Sequence, residues 1–388
     1  MGITERAKEI PPFIVMDVLE RAQELEAQGR SIIHLEVGEP DFDTPQCVKD
    51  AACQAMDDNQ THYTHSLGLM ELRKAIADYH QRRFGVQVDP ARVMVTSGTS
   101  PAMLLMFSAL LEQDDEVIIS DPAYACYDNF INFVGGKVVR VPVSEDDAFQ
   151  YRPEEIAKKL SPRTKAIVVN SPANPTGQLL SPERIQAIAE MAPGSDGPPY
   201  VVSDEIYHGL VYEGEERCIL EFTDNAFVLN GFSKIYAMTG WRLGYVIAPP
   251  HYVRPLQKMH QNFAICAPSL AQWAGVAALT DPRAQADVER MRERYNARRL
   301  RLVEGLKELG LGIKVTPTGA FYVLARVDHI DPDDYRLAFD ILDKAGVAVT
   351  PGRDFGPGGH GYIRFSYANS LANIEEALKR LANYLTNR

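Results

Sequence analysis

Long apolar runs are missing from this 388-residue chain; none approaches the ~18–20 residues that a membrane-spanning helix needs. Cysteine is scarce and odd in number: Cys47, Cys53, Cys126, Cys218 and Cys266 are scattered, with no CxxC spacing and no accompanying histidine cluster. That excludes a disulfide framework and a zinc site, so reduced thiols and no metal are expected. Positive charge is in deficit, with 40 Lys+Arg against 52 Asp+Glu and a net charge of −12. Nucleic acid, which demands a basic stripe to displace counterions, is thereby disfavoured as a partner. The start, Met1-Gly-Ile-Thr-Glu-Arg6, is charged early and lacks an apolar signal core. Arg6 also stands where a myristoylation signal at Gly2 requires Ser or Thr. These absences predict a cytoplasmic protein, in which the Asn59-Gln-Thr sequon has no meaning. Repeats and low-complexity tracts are absent too.

What is present is enough chain for two domains, since single cores stop growing near ~250–300 residues. Between about residues 93 and 248, short β-branched runs alternate with helical periods. The runs are Val93–Thr96, Glu116–Ser120, Lys137–Val143, Lys165–Asn170, Tyr200–Asp204, Ala226–Asn230 and Trp241–Ala248. Several are apolar almost throughout, as strands buried on both faces should be. Helices between such strands imply a mainly parallel seven-stranded sheet, hence an α/β fold. After about residue 281 a long charged helix pattern, Asp281 to Leu309, gives way to strands at Ala320–Val327 and Tyr362–Ala368 and a last helix from about Ser370. The expected division is an N-terminal arm over 1–36, a large domain over 37–280 and a small α+β domain over 281–388, with the arm packing on the small domain. Pro193-Gly-Ser-Asp-Gly-Pro-Pro199 reads as a surface loop. Gly356-Pro-Gly358-Gly-His-Gly361 spells a dinucleotide fingerprint, but a strand follows it where a helix is required, so it is a glycine-rich turn.

In α/β sheets ligands sit beyond the carboxyl ends of the strands, and polar residues collect there. After the first run comes Ser97-Gly98-Thr99-Ser100-Pro101 and an apolar helix. Thr99 or Ser100 suits the helix cap and Pro101 its first position; the turn is either an ordinary cap or a cradle of N–H groups for phosphate. Tyr124, past the next strand, either stacks on a flat ligand or closes the core. Asn174 is displayed by the proline-stiffened loop Ser171-Pro-Ala-Asn174-Pro-Thr-Gly177. Asp204 ends an apolar strand and needs a partner, either a structural cation or a heterocyclic N–H⁺. Lys234 follows Ser233 at another strand end, with Arg242 nearby. A lysine becomes a nucleophile when desolvation or a neighbouring cation lowers its pKa.

Taken in order, these stretches resemble the class I/II aminotransferases of fold type I, in the aspartate, aromatic and alanine aminotransferase-like branch. The matching segments are Val37-Gly38-Glu-Pro-Asp-Phe-Asp-Thr-Pro45, His62-Tyr63-Thr, the Ser97 turn, Asn170 to Gly177, Ser203-Asp-Glu-Ile-Tyr207, Ser233-Lys234, Met238-Thr-Gly-Trp-Arg242, Thr318-Gly-Ala-Phe-Tyr322 and Ile363-Arg364-Phe-Ser-Tyr. The resemblance implies pyridoxal 5′-phosphate as cofactor, with Lys234 as its Schiff-base lysine and later the proton carrier. It further implies that Asp204 pairs with the pyridine nitrogen, that Tyr207 and Asn174 contact the ring hydroxyl, and that Tyr124 stacks on the ring. The phosphate falls to Gly98, Thr99, Ser100, Ser233 and Arg242, joined by Tyr63 from a neighbouring subunit of a homodimer. Arg364 is expected to take the substrate carboxylate, assisted by Gly38 and Asn174. Thr99 and Pro101 depart from the second glycine and the glutamine common in relatives.

The implied reaction is ping-pong transamination between an L-amino acid and a 2-oxo acid, with glutamate and 2-oxoglutarate as the second pair. The stretch Pro11-Pro-Phe13-Ile14-Val15-Met16 carries no Ser, Thr, Lys or Arg for a second carboxylate. It either lines a pocket for uncharged, apolar or aromatic side chains or simply docks the arm. Aspartate transamination and a carbon–sulfur β-lyase reaction are alternatives on the same residues. A pyridoxal-phosphate-sensing regulator would need a DNA-binding module ahead of residue 35, for which no room is expected.

Overall fold

A computed structural model describes residues 2–192 and 197–388, so most of the loop expected at 193–199 lies outside the described residues. Its strands are β1 (Ile33–His34), β2 (Val93–Thr96), β3 (Glu116–Asp121), β4 (Lys137–Pro142), β5 (Thr164–Asn170), β6 (Tyr200–Asp204), β7 (Ala226–Gly231), β8 (Gly244–Ile247), β9 (Tyr322–Arg326), β10 (Val347–Ala348), β11 (Thr350–Pro351) and β12 (Tyr362–Ser366). Seven of them form one sheet in the order β2-β8-β7-β6-β5-β3-β4. All neighbours pair in parallel except those of β8, which runs against both β2 and β7.

The sheet is filled on both faces, and the period-2 geometry of a strand divides its side chains between them. Ile118, Ile167, Val201 and Val228 enter one apolar cluster. Their chain neighbours Val117, Val168, Val202 and Phe227 enter the other. Burying each such side chain contributes about 1.5–3 kcal/mol, so register is strongly fixed: a one-residue slip would exchange the two faces. Chain order reverses around β3, which has β4 on one side and β5 on the other. A crevice for ligand opens at such a switch point, at the carboxyl ends of the strands.

The chain's two ends meet. β1 pairs in parallel with β10, Ile33 opposite Val347, and the helix Ile14–Ala27 packs on the helix Asp334–Ala345 and on β10 and β11. β11, β12 and β9 make a small antiparallel sheet. Beside it run the helix Pro282–Glu308, capped by the Asp281 side chain, and the final helix Leu371–Thr386, capped by Ser370.

Two local expectations are corrected. The strand expected at Trp241–Ala248 begins only at Gly244, because Thr239–Trp241 form a 3₁₀ turn and Arg242 is left-handed at φ 52°. The helix Thr99–Leu110 is capped by Gly98 rather than by Thr99 or Ser100, and Pro101 sits at its third position. Gly98 has φ 99°, a conformation that favours a residue without Cβ. The glycine-rich 356–361 segment is a turn leading into β12, as expected.

Candidate active site

At the carboxyl ends of the sheet lies a cavity of about 350 Å³. It is lined by most of the residues singled out from the sequence: Gly38, Thr99, Ser100, Tyr124, Asn174, Asp204, Tyr207, Ser233, Lys234, Arg242 and Arg364. Tyr63 is not among them; it is 79% exposed, so the structure does not bring it to its own chain's cavity. Gly98 sits one residue behind the lining, against Arg242: a Cβ there would lie 2.6 Å from Arg242 Nη2. The helix start therefore carries no side-chain cap, and the Arg242 side chain, with Thr99, Ser100 and Ser233 in the lining, makes an anion-binding end.

Register places the acidic end. Asn170 and Asp204 are paired residues of β5 and β6. The Asn170 side chain donates to Asp204 O at 2.9 Å and accepts from Asn174 N at 2.8 Å, locking the Asn174 loop to the strand end. Asp204 itself is buried, and Tyr127 donates to its Oδ2 at 2.6 Å. Burial raises its pKa to about 6, against the opposing bonds from Tyr127 and Ile206 N. Among the described residues no cation bonds to its carboxylate. A protonated heterocycle would fit this carboxylate and lower its pKa again.

Lys234 Nζ donates to Gly38 O at 2.6 Å. Burial, helped by Arg364 and Arg242, lowers its pKa to about 8, while Glu39 and Asp204 oppose the shift. The amine is thus close to exchanging its proton near neutral pH. Tyr207 shares a 2.7 Å hydrogen bond with Tyr322 Oη, and burial pushes its pKa well above the usual phenol range. Tyr322 in turn fixes Gly38, where a Cβ would collide with Tyr322 Oη at 1.9 Å.

Arg364 is 3% exposed. Its Nη1 donates to Asn174 Oδ1 at 2.9 Å, and its Nη2 donates to Glu36 O and to Thr350 Oγ1. The guanidinium lies 4.4 Å from the Tyr322 ring centroid and 4.9 Å from that of Phe355. Nε is buried without a partner among the described residues, leaving donor capacity for a carboxylate. Behind it His34 Nδ1 meets the buried Glu36 at 2.7 Å, and this bond raises the His34 pKa to about 9. Phe13, Val15 and Met16 form an apolar part of the lining. Tyr124 meets Phe13 and Tyr127 edge-on, at ring-centroid distances of 6.3 and 5.4 Å.

These residues fit pyridoxal phosphate: an anion-binding helix start, a buried carboxylate without a cation, and a lysine of lowered pKa line one cavity. Sequence reasoning missed Asn170, Tyr127 and the Glu36–Thr350 support of Arg364. Asn170 closes the β5 run and Tyr127 stands three residues past Tyr124, but what each touches depends on distant segments.

Comparison with known proteins agrees. The family model for aminotransferase class I and II matches residues 30–381. An aspartate/prephenate aminotransferase of Thermus thermophilus is 42% identical over 389 residues, covering 99% of both chains. A valine–pyruvate aminotransferase of Mycobacterium tuberculosis is 39% identical over 379 residues, covering 97% of each. The solved structure of a Thermus thermophilus aspartate aminotransferase with maleate superposes with a TM-score of 0.94 at 40% identity, over 99% of both chains.

Proposed function

The chain belongs to the class I and II aminotransferases, enzymes that use pyridoxal 5′-phosphate, and we propose that it moves the amino group of an L-amino acid with an uncharged, apolar or aromatic side chain to a 2-oxo acid. Glutamate and 2-oxoglutarate form the second pair. The observation that carries this reading is the cavity lining. Its cations are Lys234, Arg242 and Arg364, each already given a role, and its arm residues are Phe13, Val15 and Met16. Burying a side-chain carboxylate against such a wall would leave a charge unpaired, which is costly. A valine–pyruvate aminotransferase and aspartate aminotransferases stand at similar identity, so the cavity rather than kinship selects between them.

When bound, the cofactor supplies an electron sink that acidifies the substrate Cα–H. Asp204 sustains that sink by holding a positive charge on the ring nitrogen. Tyr207 and Asn174 orient the ring hydroxyl, and Tyr124 covers the ring. Gly98, Thr99, Ser100, Ser233 and Arg242 hold the phosphate. Arg364 takes the substrate carboxylate with Asn174 and Gly38 beside it, which fixes the α-carbon within reach of Lys234 Nζ. Lys234 Nζ, which would hold the cofactor in the resting enzyme, would be the base that moves the proton of the substrate α-carbon. Donor and acceptor occupy the same cavity in turn, giving ping-pong kinetics. Tyr63, exposed on its own chain, completes the phosphate site of a second copy in a homodimer. Residues 1–36 serve as an arm, 37–280 as the cofactor domain and 281–388 as the small domain of a cytoplasmic enzyme.

The test is a donor panel with 2-oxoglutarate as acceptor. Leucine and phenylalanine should exceed aspartate in kcat/KM by about tenfold or more, the cost of leaving a charge unpaired being at least 1–3 kcal/mol. An aspartate preference would overturn the assignment of the side-chain pocket.

A further inference from the structure

The helix Ile14–Ala27 carries part of the cavity lining, yet its own N-cap residue, Phe13, makes no side-chain cap bond. The first N–H groups of a helix need acceptors, and here they come from the other end of the chain. Asp354 Oδ1 accepts from Ile14 N at 3.0 Å and Oδ2 accepts from Val15 N at 3.3 Å. This carboxylate is half-buried, and its burial outweighs the opposing effect of these bonds and of Arg364, leaving its pKa raised. Its neighbour Phe355 flanks the Arg364 guanidinium, and Phe355 O accepts from Ala123 N at 3.0 Å, one residue before Tyr124. The dipeptide Asp354-Phe355 thus ties together the arm, the carboxylate-binding arginine and the Tyr124 loop. Phe13, at the capped end, meets the Tyr124 ring edge-on.

We propose that Asp354 is a positioning residue for side-chain selection: by capping the arm helix from the opposite end of the chain, it holds Phe13, Val15 and Met16 at the cavity and so sets the preference for large apolar donors. Asp354 is not among the residues lining the cavity; its effect passes through the arm. The inference rests on the reading that the arm lines the side-chain pocket.

The experiment compares wild type, Asp354→Ala, Asp354→Asn and Ile14→Pro as cofactor-loaded enzymes. Proline suits the first helical position while removing the N–H that Asp354 Oδ1 receives, so this variant breaks one bond without touching the carboxylate. Losing a cap of this kind should lower kcat/KM for leucine and phenylalanine by about five- to tenfold, chiefly through KM, with alanine changed less than about twofold. Asp354→Asn, which keeps one acceptor oxygen, should recover part of the loss, and Ile14→Pro should show a smaller loss in the same direction. Hydrogen exchange of the amides at 14 and 15 should quicken in Asp354→Ala. Equal losses for all three donors, or an unchanged donor ratio with unchanged exchange, would overturn the proposal. If wild type prefers aspartate, the pocket reading fails by itself. If wild type prefers apolar donors and the variants keep that ratio, only the role of Asp354 fails.

Discussion

The part of the cavity that carries Asn170, Asp204 and Lys234 and the part that carries Phe13, Val15, Met16 and Arg364 differ in how much of the chain must come together to build them. In the first, each residue stands at or just past the end of a strand in one sheet. Pairing alone sets Asn170 opposite Asp204 and Asp204 opposite Leu229. In the second, Arg364 is oriented by Glu36 O, 328 residues away, and the arm is held by Asp354 across 340. Residues on a doubly covered sheet are held by strand pairing, whereas the arm's part of the lining depends on contacts between the chain's ends. Substitutions in the first region should therefore abolish turnover for every donor, and those in the second should change which donor is preferred or how tightly it is held.

The largest expected effect is Lys234→Ala. Removing the proposed nucleophile and proton carrier should lower kcat by roughly four orders of magnitude or more for all donors alike. Residual activity that differs sharply among donors would blur the comparison. Next comes Arg364→Lys, which replaces a bidentate fork by a point charge. KM should rise about ten- to a hundredfold for every donor, with donor ratios preserved. That outcome would separate carboxylate binding from side-chain selection, even though Arg364 and the arm adjoin.

The smallest effect sharpens the sheet side. Tyr127 donates to Asp204 and favours its charged form, opposing the burial that raises the pKa to about 6. In Tyr127→Phe the Asp204 pKa should therefore rise further. In the proposed mechanism the carboxylate is the working form and the ring nitrogen's charge lowers its pKa again. From that lowered position the acid limb of kcat/KM should move to higher pH by about one unit in Tyr127→Phe, a charge-assisted hydrogen bond being worth ~1.5 kcal/mol or more. Activity on that acid limb should fall severalfold while activity on the pH plateau changes little. A loss that is uniform across pH would show that Tyr127 acts on packing rather than on the charge.

The same contrast explains what could be read from the sequence. Apolar runs ending in polar residues gave away the sheet and, with it, Asp204, Asn174 and Lys234, because strand ends converge on one edge whatever the loops do. β6 has the boundaries its pattern implies, Tyr200–Asp204. The cap at Gly98 escaped because Thr99 and Ser100 are the usual capping residue types, while the actual constraint is the approach of Arg242 from 144 residues further along. Tyr127 reads as an ordinary helix aromatic until Asp204, 77 residues away, is brought to it. Asp354 lies in a glycine-flanked turn with no local signal at all; its partner is the arm helix. Long-range hydrogen bonds leave no periodicity in the sequence.

Transamination of apolar donors is tested most directly by rapid mixing of the cofactor-loaded enzyme with single amino acids and no oxo acid. Leucine or phenylalanine should drive the cofactor absorbance from its lysine-bound band to its amino form within one turnover. The reaction should then stop and resume only when 2-oxoglutarate is added, with aspartate reacting far more slowly. Continuous release of thiol, pyruvate and ammonia from an S-alkylcysteine without an acceptor, or a faster single turnover with aspartate than with leucine, would contradict transamination of apolar donors.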